Sequence, residues 1–164
     1  MGATLTHTTH EHHHRLMTHL DTMPAIGDMI GVSPLPELRE RVDELDGFLE
    51  ELLIPHLESA EAALYPELER KFQNRHSMLP MRREHEEIRE LVAALGIVRG
   101  RLDDGHLGTG EAATLRRVIF RLFALMKIHL AEEELYLHAL EQGESEELVE
   151  RLVAAMEHAG IADL

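Results

Sequence analysis

The 164-residue chain contains no cysteine and no tryptophan, and it has only two tyrosines and four phenylalanines. Without cysteine it can form no disulfide, no iron–sulfur cluster and no zinc site with thiolate ligands, and this composition fits a reducing cytoplasm. No apolar run approaches the ~20 residues that a membrane-spanning helix needs. The polar stretch at residues 1–14 lacks the apolar core of a signal peptide. We therefore expect a cytoplasmic protein that has no membrane partner.

Positive charge is also scarce in this chain. Sixteen lysine and arginine residues stand against 31 acidic residues, and the formal net charge is −15. Because such a chain repels polyanions, we expect no nucleic-acid partner. The acidic residues are spread along the chain, as is typical of solvated helix faces. The sequence also shows no Ser/His/Asp arrangement for nucleophilic catalysis, no glycine-rich phosphate loop and no helix–turn–helix signal.

The abundant residues are helix formers, and apolar residues recur at steps of three and four along several segments. This spacing predicts helices that each bury one apolar seam. The sequence therefore predicts an all-α fold, with helices at residues 8–29, 35–71, 80–99, 111–141 and 145–159. Short connections favour an antiparallel up-down-up-down four-helix bundle over residues 8–141. We expect the short fifth helix, at residues 145–159, to pack on the same domain.

Histidine is the unusual component, because 13 histidines occur and four of them occupy matching positions in two similar helical segments. His13 corresponds to His85, and His56 corresponds to His129, at offsets that differ by a single residue. Each of the four lies on an apolar seam. A duplicated pair of helices can bring four such imidazoles together in one core, which predicts a site for two metal ions.

A carboxylate accompanies these histidines on the last long helix. Glu133 lies four residues after His129, so the two side chains differ by roughly 40° around a helix and share one face. An ionised glutamate on a buried seam is costly unless it is paired or bound to a cation. Imidazole and carboxylate ligands in a bundle core suit iron or manganese, and zinc stays an alternative. The opposing interpretation is a helical bundle whose histidines are ordinary core residues.

The ordered set His13, His56, His85 and His129-x3-Glu133 resembles the hemerythrin-like, or HHE cation-binding, domain family. Residues 56–66 (HLESAEAALYP) are similar to the family's second-helix motif, and residues 84–89 (EHEEIR) are similar to its third-helix motif. The resemblance covers roughly residues 8–141. It implies a four-helix bundle that holds a non-haem centre of two iron ions, bridged by an oxo or hydroxo group.

One position departs from the family pattern. The residue four after His56 is Ala60, where the family has a metal-binding glutamate. Glu61 is the nearest replacement, although it lies roughly 140° from His56 on an ideal helix. Pro55 distorts this turn and could swing Glu61 inward, so we include Glu61 among the predicted metal ligands.

Three further residues are candidates for the metal centre or for its immediate surroundings. Tyr136 lies seven residues after His129 on the same helix face, where it could bind metal but more simply serves as a core or hydrogen-bonding residue. Glu134 follows Glu133 directly. His10 lies three residues before His13 and could reach the site from the same side; a register slip of one would replace His13 by His12 or His14.

The apolar seams around the histidine layer predict a small, dry pocket that suits a diatomic ligand or peroxide better than an organic substrate. The first functional hypothesis is a hemerythrin-like di-iron protein that binds O2, NO or peroxide in a sensing or protective role, for example under oxidative stress. The second is a peroxide-consuming di-iron oxidoreductase with catalase-like or peroxidase-like activity. The third is a structural or interaction bundle without metal. Monomer and homodimer stay open.

Overall fold

A computed structural model describes residues 2–103, 105 and 107–142 of the chain. All secondary structure in these residues is helical, which confirms the all-α prediction. The α-helices are α1 Gly2–Leu20, α2 Met23–Met29, α3 Leu35–Phe48, α4 Ile54–Ser59, α5 Tyr65–Lys71, α6 Leu79–Asp103 and α7 Thr109–Gln142. Two π-helical segments, Leu49–Leu53 and Ala60–Leu64, join α3, α4 and α5 into one continuous span. The predicted fifth helix, at residues 145–159, lies outside the described residues.

The first predicted helix, at residues 8–29, is divided into α1 and α2 by a turn at Asp21 and Thr22. Pro24 lies in the first turn of α2, where a helix needs no N–H donor, so the break precedes the proline. The chain then reverses at Gly31, whose φ of 78° lies in the left-handed region that glycine adopts without strain. The described part of the chain thus forms four helical spans, which are α1 with α2, α3 to α5, α6, and α7.

The second span is underwound at two places, and proline explains both. Each π-helical segment ends directly before an α-helix that has proline at its second position, Pro55 in α4 and Pro66 in α5. Proline has no N–H, and its ring clashes with the carbonyl group four residues earlier in a regular α-helix. A wider i→i+5 turn relieves this conflict. The two prolines therefore change which side chains of this span face the core.

The helices pack around a core that a polar layer divides into two apolar clusters. In α6, Met81 belongs to one cluster and Ile88 to the other, with His85 between them. In α7, Leu130 and Tyr136 belong to different clusters, with Glu133 between them. Helix α7 contacts α1, α2, α5 and α6, while α3 contacts α2 and α6. None of the helices in the described residues has both the length and the apolarity to cross a membrane.

Candidate metal centre

The polar layer consists of five residues, which are the buried polar or charged residues of the described chain: His13, His56, His85, His129 and Glu133. They come from all four helical spans. His13 lies in α1, His56 in α4, His85 in α6, and both His129 and Glu133 in α7. His85, His129 and Glu133 have no solvent-accessible surface. The structure thus brings together the four predicted histidines and the predicted seam carboxylate.

Glu133 lies between two pairs of imidazoles. Its Oε2 is 2.8 Å from Nε2 of His13 and 3.1 Å from Nε2 of His56. On the other side, Nε2 of His85 is 3.1 Å from Nε2 of His129. Two groups of potential ligands result, His13–His56–Glu133 and His85–His129–Glu133, each with its ligand atoms within 4.8 Å of one another. Glu133 belongs to both groups, so a single carboxylate could serve two cations.

Three of the four histidines point Nε2 toward this interior and donate from Nδ1 to a carboxylate behind them. Nδ1 of His13 is 2.6 Å from Oε1 of Glu134, and Nδ1 of His129 is 2.8 Å from Oε2 of Glu84. Nδ1 of His85 is 2.7 Å from Oε1 of Glu61. Such partners fix the ring orientation of metal-binding histidines and raise their basicity. The rings are therefore aimed at a common interior before any cation arrives.

Glu61, predicted as a metal ligand, lies behind His85 and belongs to neither group of potential ligands. The π-helical segment Ala60–Leu64 turns it toward α6, where its Oε1 also accepts a hydrogen bond from Arg89 at 3.0 Å. Glu134 occupies the corresponding position behind His13. Ala60 is buried in the apolar cluster that contains Tyr65 and Tyr136, and within the described residues Glu133 is the carboxylate of both groups.

The interior contains polar atoms that lack hydrogen bonds. Oε1 of Glu133 and Nε2 of His56 are buried without a hydrogen-bond partner, and the 3.1 Å approach of His56 to Glu133 is close but poorly aligned. Nε2 of His12 is likewise buried and unpartnered, and the His12 ring stacks on His56 at 5.3 Å between centroids. Because unpartnered buried acceptors are costly, the donor set fits a bound cation.

The charges of these groups respond to burial and to each other. Burial, and then the charge of nearby His129, lowers the pKa of His85 to about 4. Burial also lowers the pKa of His129 to about 4. Burial alone would raise the pKa of Glu133, but the imidazoles of His13 and His56 outweigh it and hold that pKa below its ordinary value. The centre therefore contains an ionised carboxylate beside two neutral imidazoles, which are the forms that bind metal.

The pKa of His13 shifts in the opposite direction to those of His85 and His129. Burial acts to lower its pKa, but hydrogen bonds to the carboxylates of Glu133 and Glu134 outweigh that effect and raise the pKa. An imidazolium can donate to both carboxylates at once. A cation that binds between His13 and Glu133 would displace the proton on Nε2 and take its place. Among the alternative positions, His14 is exposed, His12 is half-buried, and the side chain of His10 lies outside the described residues.

Two residues near the site had no predicted role there. Glu84 accepts the hydrogen bond from His129, and its own neighbour Glu132 shares a hydrogen bond with it. Burial raises the pKa of each of these carboxyl groups to about 7. Tyr65 is fully buried, and its hydroxyl group lies 2.8 Å from Nε2 of His85. The contact between Glu84 and His129 could not be predicted from residue spacing within one helix, because the two residues lie on different helices.

Tyr136, predicted as a possible ligand or as a core or hydrogen-bonding neighbour of the metal, is buried in the apolar cluster that also contains Tyr65. Its ring lies 6.2 Å from that of Phe72. Burial, followed by the charges of Glu132 and Glu84, raises the pKa of Tyr136 to about 12. Tyr136 is therefore a core residue close to the carboxylate behind His129.

Comparisons of the chain with models of protein families, with curated proteins and with solved structures found no match. The resemblance to hemerythrin-like domains therefore depends on the ordered histidines, on Glu133 and on the motifs at residues 56–66 and 84–89. The geometry of the polar layer stands independently of that resemblance, since it follows from the positions of the five side chains.

Proposed function

We propose that this chain is a hemerythrin-like protein whose core holds two iron ions and binds O2, NO or peroxide, in a sensing or protective role. The observation that carries the proposal is the position of Glu133. Its carboxylate belongs to both groups of potential ligands, each of which contains two imidazoles. A buried carboxylate shared in this way suits two cations that lie close together.

The composition of each group favours iron. Two histidines and one carboxylate, with further positions left open, are typical of non-haem Fe(II) sites. Iron held in this way would supply open positions for a small ligand and a change of oxidation state. The protein's own contribution is to orient the imidazoles through Glu61, Glu84 and Glu134 and to keep the interior dry. Manganese and zinc share part of this ligand preference, and metal analysis distinguishes them.

The surroundings favour a small ligand. Met81 and Ile88 lie about one helical turn on either side of His85, and both are fully buried. Met126 holds a similar position before His129 and is also fully buried. We propose that the four helical spans form the antiparallel up-down-up-down bundle of hemerythrin-like domains, and that the ligand of the centre is a diatomic molecule or peroxide.

Metal analysis of the full chain, purified after expression in iron-supplemented medium, tests the proposal. We expect close to two iron ions per chain and near-ultraviolet and visible absorption that changes when the reduced protein meets O2 or NO. His85→Ala should lose iron and this response, whereas His14→Ala, at an exposed position of α1, should retain both. The proposal would be contradicted if the wild-type chain contained no iron, or if its absorption did not change with either O2 or NO. Metal-free wild type would instead favour a structural bundle.

A peroxide-consuming di-iron enzyme is the second candidate. Ala60 is buried among apolar residues where the family has a metal-binding glutamate, so the His13–His56 position depends on Glu133 for its carboxylate. Fewer anionic ligands should change the redox potential of the iron pair, which favours redox turnover over reversible binding. The iron-loaded protein should then evolve O2 from hydrogen peroxide faster than the same concentration of free iron, and equal rates would exclude this activity.

A further inference from the structure

Tyr65 lies in the same apolar cluster as Tyr136, and its hydroxyl group contacts a member of the polar layer. Its hydroxyl group is 2.8 Å from Nε2 of His85, and this same nitrogen is 3.1 Å from Nε2 of His129. Tyr65 therefore contacts a member of the His85–His129–Glu133 group through its oxygen atom.

The hydrogen bonds behind the two histidines determine what their inner nitrogens can do. The carboxylate of Glu61 accepts from Arg89 at 3.0 Å and from Nδ1 of His85 at 2.7 Å. Glu84 accepts from Nδ1 of His129 in the same way. A neutral imidazole carries one proton, so both Nε2 atoms present lone pairs. Two lone pairs 3.1 Å apart repel each other unless a proton or a cation lies nearby.

Tyr65 supplies that proton in the metal-free protein, by donating its O–H to Nε2 of His85. A cation bound by His85, His129 and Glu133 would favour the phenolate of Tyr65 over the phenol. Arg82 also favours it, since its guanidinium carbon lies 5.5 Å from the centre of the Tyr65 ring.

We propose that Tyr65 is the fourth protein ligand of the metal ion held by His85, His129 and Glu133. On binding, the O–H bond of Tyr65 breaks, its proton passes to solvent, and the phenolate oxygen bonds to the ion. The two metal positions are then unequal, because the Tyr65 hydroxyl group lies against His85, which belongs to one group only. This inference depends on the proposed function only in requiring that the centre binds a metal ion.

The π-helical segment Ala60–Leu64 makes this placement possible. Tyr65 lies nine residues after His56, and in an unbroken α-helix the two would differ by roughly 180° and face opposite sides. The wider turn at Ala60–Leu64, which lies between them, changes that angle, and both side chains are buried. The residue that gains access to the interior is Tyr65, while position 60 holds only a methyl group.

Absorption and resonance Raman spectra of the full chain loaded with Fe(III) test the assignment. Wild type should show a visible phenolate-to-iron charge-transfer band, and Raman excitation in that band should enhance tyrosine ring vibrations. Tyr65→Phe should lose both signals, whereas Tyr136→Phe, the matched control, should keep both. A band that survives in Tyr65→Phe, or its absence from iron-loaded wild type, would overturn the assignment.

Zinc titration by calorimetry gives a second readout that requires no redox chemistry. We expect Tyr65→Phe to weaken one of two binding steps by about 10-fold or more and to leave the other unchanged. Tyr136→Phe should match wild type, and circular dichroism verifies that all three proteins are folded. Two unchanged steps in Tyr65→Phe would refute the ligand role while leaving the metal centre intact. A wild type that binds no metal would refute the centre itself, and the ligand role with it.

Discussion

His13 and Glu133 are 120 residues apart in the chain, yet Nε2 of His13 lies 2.8 Å from Oε2 of Glu133 in the core. This contact joins the first helical span to the last. The same carboxylate oxygen lies 3.1 Å from His56, so one side chain links three spans at the polar layer. Removing this carboxylate should therefore affect the whole proposed centre and not one half of it.

Glu133→Gln tests this sharing. The amide keeps the size of the side chain but removes the charge that both groups of potential ligands have in common. We expect both iron ions to bind at least about 100-fold more weakly, so that the purified variant retains little metal. Metal analysis and zinc calorimetry measure the effect, with Glu58→Gln on the exposed face of α4 as the control. A variant that loses one ion and keeps the other would show that Glu133 serves a single position.

Glu84→Gln tests the role of the carboxylate behind His129. Glu84 accepts from Nδ1 of His129 at 2.8 Å and lies on a neighbouring helix, so it can orient the ring without touching a metal ion. Loss of its charge should weaken metal binding about 10–100-fold, as is usual when a histidine ligand loses its hydrogen-bonded carboxylate. Glu86→Gln, at an exposed position two residues away, should bind metal as wild type does. Equal affinities for the two variants would exclude an orienting role.

Ala60→Glu tests whether the family's glutamate position still faces the centre. In this chain position 60 is buried among Leu64, Tyr65 and other apolar residues, and a carboxylate there would lack a partner. We expect the metal-free variant to lose about 3 kcal/mol of unfolding free energy in urea titrations. Ala63→Glu, on the exposed side of the same π-helical segment, should lose far less. An increase in metal affinity in Ala60→Glu would contradict this placement of position 60.

Alkaline titration tests the burial of the two tyrosines in the metal-free protein. The ordinary phenol pKa is 10.0, and burial raises that of Tyr136 to about 12 and that of Tyr65 further. Above pH 10 the unfolded chain releases phenol protons that the folded chain retains, so stability falls as the pH rises from 10 toward 12. We expect tyrosinate absorbance to stay low at pH 11 and then to appear together with loss of helical circular dichroism. As a control, the tyrosines of the protein unfolded in guanidinium should titrate near pH 10. If the tyrosines of the folded protein also titrated near pH 10, both rings would be exposed.

Much of the polar layer could be predicted from the sequence, because a helical seam repeats every three or four residues whatever lies opposite it. His13, His56, His85 and His129 interrupt apolar seams, and side chains on a seam point into the core. Glu133 follows His129 by four residues and shares its face. All five are buried in the structure, and the all-α fold follows from the same periodicity. These predictions required only local helix geometry.

The tertiary structure decided what lies behind and beside those residues. Glu84 and Glu61 meet the histidines of neighbouring helices, a relation that no spacing within one helix contains. The approach of the Tyr65 hydroxyl group to His85 depends on the underwound turn at Ala60–Leu64, where the regular helical angle of about 100° per residue does not hold. Local periodicity specifies which face of each helix is buried. Which groups then meet across the core depends on how the helices pack and where their turns widen.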